Sequence, residues 1–233
     1  MRAAISAKGL ARSHIIVLEA LLKLRQVCCD PRLVKLKQTA TIKESAKLTL
    51  LLSMLPALIE EGRRILLFSQ FTSMLDLIAV ALDEVKMNYV VLTGETRDRR
   101  VPIKQFTQGQ VPIFLISLKA GGVGLNLTAA DTVIHYDPWW NPAAENQATD
   151  RAHRLGQVKP VFVYKLIAAG SVEEKIVSMQ EKKAGLANAI LSEDSANAEK
   201  FSADDLQALF EPIPAAASIE QQVKSRARKR SAT

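Results

Sequence analysis

Apolar positions along this chain follow two rhythms. Five short apolar runs, Ile65–Ser69, Tyr89–Thr93, Ile113–Ser117, Thr132–Tyr136 and Val161–Lys165, have strand character, and most are apolar at nearly every position. That is the pattern of strands covered on both faces. Between them, apolar residues recur at helical spacing: Leu48, Leu51, Leu52, Leu55 and Ile59 before the first run, and Met74, Leu75, Leu77, Ile78, Val80, Ala81 and Leu82 after it. Asn141-Pro142 predicts a helix start, a capping side chain followed by a proline that needs no amide partner. Ser171 with Glu174 three residues on predicts a capping box for a helix running to about Leu191. Strands alternating with helices predict an α/β fold, a parallel sheet with helices on both sides. Before residue 45 the chain reads as helical and basic. Residues 192–200 read as a loop and Ser202–Phe210 as a short helix. From Pro212 the apolar periodicity is lost, which predicts a disordered basic tail.

One polar stretch departs from these rhythms. In QATDRAHRLGQ, from Gln147 to Gln157, a helix would place Gln147, Asp150, Arg151 and Arg154 at i, i+3, i+4 and i+7. That spacing normally marks a buried apolar stripe. Ala144, Ala148, Ala152 and Leu155 form a second stripe roughly a third of a turn away. The expectation is a rod that packs on the core by one face and aims two arginines outward from the other. Guanidinium is a permanent, bidentate partner for phosphate. A pair of them one turn apart points to arginine fingers for a triphosphate bound elsewhere.

Other candidates cluster after the strands, where ligands bind in open parallel sheets. LLFSQFTSMLD (66–76) places Ser69, Gln70 and Thr72 at the end of the first strand, as ligand contacts or as plain turn chemistry. LTGET (92–96) offers Thr93 and Gly94 to a phosphate. SLKAGGVGLNL (117–127) combines Ser117 and Lys119 with closely spaced glycines, whose backbone can approach a phosphate of a nucleotide or of a nucleic acid. DPWWNPA (137–143) carries two tryptophans, one expected as a core plug and the other, Trp140, as a surface for a base or sugar.

Composition narrows the classes. At 48% hydrophobic the 233 residues can bury an ordinary core. No apolar run reaches membrane-spanning length, and the first residues lack the apolar stretch of a secretion signal. Cys28 and Cys29 are adjacent and cannot staple distant segments, and His14, His135 and His153 show no metal-ligand spacing. The charge of +7 is uneven, with net +8 over residues 1–170, −5 over 171–211 and +4 over 212–233. A basic body suits a polyanion. No G-x-x-x-x-G-K-[ST] loop occurs, so the phosphate cradle of a P-loop NTPase is lacking. AVALDE (79–84), which imitates a strand ending in two carboxylates, reads instead as the continuation of a helix. The G-x-G-x-x-G of a dinucleotide enzyme is also missing.

Taken in order, LLFSQFTSMLD, YVVLTGET, SLKAGGVGLNL, DPWWNPA and QATDRAHRLGQ resemble the second motor lobe of Swi/Snf-type DNA translocases, within the superfamily-two helicases. SVEEKI (171–176) is similar to the start of that lobe's brace helix, and LRQVCCDPRLV (24–34) to its lead-in segment. The resemblance covers roughly residues 20 to 191. It implies a RecA-like fold of the P-loop NTPase type and ATP-driven translocation on double-stranded DNA. It divides the chain into a lead-in (1–44), the lobe with its brace helix (45–191), a loop and short helix (192–211) and the tail (212–233). By the family's motifs, Arg151 and Arg154 are the fingers, and Gln147 and Asp150 line the same interlobe face. Lys119 with Gly121, Gly122 and Gly124 contacts DNA phosphate and the other lobe. Ser69, Gln70, Thr93 and Gly94 touch the tracked strand, and Trp140 stands at the DNA groove. Asp30 departs from the histidine usual before Pro31. ATP with Mg2+ would be held mainly by a first lobe outside this sequence, which therefore reads as one half of a motor, inactive by itself. A protein displaced from DNA is a further expected partner. The expected setting is cytoplasmic and nucleoid-associated, or nuclear, and not secretory. The competing reading is a stand-alone DNA-binding module without ATP coupling.

Overall fold

The computed structural model describes residues 10–34, 42, 44–121, 125–139, 141–153 and 159–190. The loop expected at 192–200, the helix at Ser202–Phe210 and the tail from Pro212 lie outside these residues. The chain divides into two compact units, residues 1–167 and 168–233.

The first unit opens with α1 (Leu10–Cys29), a 3-10 turn (Pro31–Leu33) and α2 (Ala46–Glu60). The sheet follows in alternation: β1 (Ile65–Ser69), α3 (Thr72–Glu84), β2 (Tyr89–Leu92), α4 (Arg100–Thr107), β3 (Ile113–Ser117), the short α5 (Leu118–Gly121), β4 (Thr132–His135), α6 (Pro142–Thr149) and β5 (Phe162–Lys165). All five strands are parallel, in the order β2-β3-β1-β4-β5. Three of the five expected strands, β1, β3 and β4, are central and buried along their whole length. β2 alternates between buried and half-buried, and β5, at the other edge, is largely exposed.

The pleat sends successive side chains to opposite faces, so each central strand feeds two cores. Ile65, Leu67, Ile113, Leu115 and Ile134 join Leu51, Leu55, Met74 and Ile78 beneath α2 and α3. Leu66, Phe68, Phe114, Ile116 and Val133 join Phe106, Ala148 and Ala152 on the side of α4 and α6. Each fully buried Leu, Ile or Phe contributes about 1.5–3 kcal/mol. AVALDE lies within α3, as its helical reading required.

Three helices end the same way. Gly62, Lys86 and Gly109 take φ of +73, +57 and +80 just past α2, α3 and α4. Around each, paired amides close on the last turn, for example Arg63 N on Leu58 O and Gly62 N on Ile59 O. This is the Schellman arrangement, and the left-handed residue it needs is normally glycine. Lys86 is the exception.

In the second unit, Ser171 accepts from Glu173 N at 3.1 Å ahead of α7 (Val172–Ile190). Glu174 accepts from Gly170 N at 2.9 Å, so the expected box closes one residue earlier than the sequence spacing suggests. α1 and its 3-10 turn belong to the same compact unit as the sheet. Side-chain bonds across that unit give the physical reason.

Candidate functional site

The loops leaving the carboxyl ends of the strands carry Ser69–Gln70 after β1, Thr93–Gly94 after β2, Lys119 after β3 and Asp137–Trp139 after β4. Two of these loops converge on Asp137, which is 1% exposed. Its carboxylate accepts from the Ser69 hydroxyl and, at 3.3 Å to each oxygen, from Gln70 N. Ser69 Oγ in turn accepts from Phe71 N at 3.1 Å. Ser69 is therefore fully buried and bonded to Asp137, in keeping with the turn chemistry that was one of its two sequence readings. Its hydroxyl sets the direction of the loop carrying Gln70.

Two cations reach the same centre, one from α1 and one from α2. Arg25 of α1, 2% exposed, donates to Pro138 O and stands 3.9 Å from Asp137 Oδ2. Lys47 of α2 donates to Tyr136 O at 2.9 Å. Burial drives the Asp137 carboxyl up to about 6, against the Ser69 hydroxyl, Arg25, Lys47 and the Gln70 amide, which all favour the charged form. Burial also pushes the Tyr136 phenol up, and its hydroxyl donates to Cys29 O at 3.3 Å. At Asp30, the departure from the expected histidine, the carboxylate accepts from Arg32 N, Nε and Nη2 within 2.9 Å and caps the 3-10 turn.

A second polar centre fixes α6. Asn141 caps it, accepting from Ala143 N at 3.0 Å with Pro142 at its first position, as predicted. Glu145, 1% exposed, accepts from Trp139 N at 2.6 Å and pairs with Lys165 of β5. His135 of β4 bonds Thr149 Oγ1 through Nε2 at 3.0 Å and stacks on Phe68, ring centroids 5.7 Å apart. Its Nδ1 is buried without a hydrogen-bond partner. Burial, with Lys165 nearby, lowers the imidazole to about 4 although Glu145 opposes the shift. The ring is neutral at physiological pH.

The expected arginine rod is corrected at this point. α6 stops at Thr149, with Asp150 as its C-terminal cap, and residues 150–152 form a turn. Spacing alone could not register the tertiary bonds that end it. Thr149 is held by His135, Leu127 N donates to Arg151 O at 3.1 Å, and Ala152 fills the second core. Arg151 is consequently 2% exposed, with Nη1 3.4 Å from Leu125 O, and does not aim outward from a helix. Gln147 and Asp150 are exposed, as expected of an outer face. Arg154, Gly122, Gly124 and Trp140 lie outside the described residues, as does part of the glycine loop.

After β2, Thr93 N donates to Thr96 Oγ1 at 3.0 Å, and Gly94 is exposed with open space where a Cβ would stand. Lys119 is exposed on α5. Thr93, Gly94, Gln70 and Lys119 thus follow the carboxyl ends of the strands, where Gly94 and Lys119 are exposed, while Thr93 N is bonded to Thr96, Gln70 N to Asp137, and Gln70 Nε2 is buried.

Asp137, Arg25, Lys47, Glu145 and His135 were not singled out as site residues from sequence. One signal was present for Arg25, which interrupts the helical stripe Leu21–Arg25–Cys29, where period alone demands an apolar side chain.

Residues 46–156 match the family model described as helicase conserved C-terminal domain. An uncharacterized ATP-dependent helicase, MG018, of Mycoplasma genitalium is 39% identical over 204 residues, which is 86% of this chain and 20% of that protein. Protein CHROMATIN REMODELING 24 of Arabidopsis thaliana is 43% identical over 176 residues, covering 74% of this chain and 16% of that one. The Sulfolobus solfataricus SWI2/SNF2 ATPase core in complex with dsDNA superposes with a TM-score of 0.65 at 35% identity, over 80% of this chain and 40% of that one. The chain spans about a fifth of the length of the curated relatives it matches.

Proposed function

Since the chain belongs to the Swi/Snf-type ATP-dependent helicases through their helicase conserved C-terminal domain, we propose that it is the second motor lobe of an ATP-dependent translocase on double-stranded DNA. Bound ATP with Mg2+, held mainly by a first lobe, supplies the phosphoryl transfer. The donor set here fits the remaining part of such a site, being cationic and amide-bearing and so suited to phosphate oxygens. Arg151 and Arg154 neutralise transition-state charge, with Gln147 and Asp150 beside them on the interlobe face. Gly122 and Gly124 let the backbone near Lys119 come close to the other lobe.

Arg151 lies withdrawn against Leu125, so its engagement requires the 150–152 turn to shift. Its greater affinity for the triphosphate-bound state favours that shift, and loss of the terminal charge reverses it. Thr93, Gly94, Gln70 and Lys119 hold DNA phosphates, Trp140 stands against the groove, and Ser69 acts behind them through Asp137. The motor works where DNA is, in the nucleoid-bearing cytoplasm or the nucleus, and a protein in its path would be displaced.

The observation that carries this reading is the clasp between Arg151 O and Leu127 N. It ties the segment that follows the glycine loop to the turn that carries Arg151, which supports reading the two motifs together. The test is hydrolysis by a protein joining this chain to its first lobe. Arg151→Ala and Arg154→Ala are each expected to lower kcat by about three to five decades while duplex affinity is largely kept, and the isolated chain is expected to hydrolyse negligibly. DNA-stimulated, magnesium-dependent hydrolysis by the isolated chain would overturn the division of labour. Unchanged hydrolysis in both variants would leave a DNA-binding module with no arginine coupling to ATP.

A further inference from the structure

Arg25 sits outside residues 46–156, the part matched by the family model. It lies between Leu21 and Cys29 on the buried face of α1, at a position where helical period would place another aliphatic side chain. Its guanidinium meets the loop after β4. It donates to Pro138 O, stands 3.9 Å from the Asp137 carboxylate, and lies 5.9 Å from the Trp139 ring centroid and 5.8 Å from that of Phe71. These interactions hold three consecutive residues of the loop, plus the first residue of the turn after Gln70. A planar cation with fixed donors defines direction in a way an aliphatic plug does not. If the need were only to fill space, a Leu or Met would serve at lower desolvation cost.

We propose that Arg25 is a positioning residue for the loop after β4, fixing from the lead-in helix where Trp139 stands at the DNA-facing end of the sheet. The inference rests on the DNA reading only for its consequence, not for the positioning itself. Glu145 holds the same loop from the opposite side through Trp139 N, so the loop is gripped by a cation at one shoulder and a carboxylate at the other. Loss of Arg25 removes the tie from α1 to Pro138 and Trp139, while Ser69, Gln70, Lys47 and Glu145 still hold the loop at its other residues.

The chain contains no tryptophan outside this loop, so intrinsic fluorescence reports on it selectively. The experiment compares the full 233-residue chain with Arg25→Met, Arg25→Lys and the double variant Arg25→Met/Asp137→Asn, which removes the buried carboxylate left behind by the first change. Circular dichroism and the unfolding midpoint establish folding. Emission maximum and acrylamide quenching read the loop, and titration with a short duplex reads DNA. Expected are a shifted emission and stronger quenching in Arg25→Met that persist in the folded double variant, partial recovery in Arg25→Lys, and duplex affinity weakened about tenfold, as for the removal of one aromatic ring that a base or sugar rests on. Emission and quenching identical to the parent chain in the folded double variant would overturn the proposal. A moved emission with unchanged duplex affinity would support the positioning role and instead sink the placement of this loop against DNA.

Discussion

Replacing Asp137 with asparagine should change how stability depends on pH between about 4 and 6. Burial raises this carboxyl from 3.8 to about 6 in the folded protein. A group with a raised folded pKa binds its proton more tightly in the folded state. Its stabilisation is therefore complete below about pH 4 and is lost as pH rises through 6. At about 1.4 kcal/mol per unit, the displacement of about two units is worth about 3 kcal/mol. His135, two residues earlier, acts in the opposite sense. Burial lowers it from 6.5 to about 4, so its stabilisation is complete above 6.5 and is lost as pH falls through 4, again by about 3 kcal/mol. In the parent chain the two slopes largely offset each other over this interval.

Urea unfolding at closely spaced pH values tests this. The difference in stability between Asp137→Asn and the parent should climb by about 3 kcal/mol from pH 4 to 6. For His135→Asn, the same difference should fall by about as much from pH 4 to 6.5. Broken hydrogen bonds add an offset that does not depend on pH, so the slope of the difference is the readout. All other carboxylates cancel in the subtraction. A flat difference for Asp137→Asn would mean that Arg25, Ser69 and Lys47 hold the carboxylate charged after all, and that burial does not dominate at this centre.

Two further substitutions probe the frame around the site. Glu145→Ala removes the acceptor of Trp139 N and strands Lys165, which is 39% exposed and can rehydrate. The expected loss is about 2 kcal/mol, with about half restored by Glu145→Gln, which keeps an acceptor; equal losses in the two variants would contradict it. Lys86→Gly relieves a φ of +57 at the end of α3. It should raise stability by about 1 kcal/mol in thermal unfolding, and a neutral or negative effect would show that the side chain contributes more than its backbone strain costs.

The sheet was legible because its central strands are apolar on both faces, a pattern that neither an exposed helix nor a loop shares. Strand ends were less so. Thr93, Tyr136 and Val161 fall just outside strands expected to include them, since hydrogen bonding to a neighbour, not hydropathy, decides where a strand ends. The helix through Arg154 was over-extended for a related reason. Period shows which side chains a helix would align but not that His135 and Leu127 will bind its last turn. Ser69 shows a third limit. A hydroxyl at the end of a strand reads the same whether it meets a ligand or a buried carboxylate, and only the arrival of Asp137 from a distant loop decides.

The buried charges at the carboxyl end of the sheet are not explained by stability. Replacing such a group by a packed apolar one is often neutral or favourable, and here the carboxyl is held at the cost of a raised pKa. What the charges supply is direction. Asp137 joins β1 to β4 through Ser69 and Gln70, and Arg25 adds the lead-in helix. Glu145 ties the same loop to β5, and His135 ties β4 to the end of α6, next to Arg151. An apolar plug at these positions would keep the layers together but leave the loops free to slide over it. The polar centres are placed where the loops emerge, so that each loop leaves the sheet in one direction, while the apolar residues that hold the sheet lie beneath.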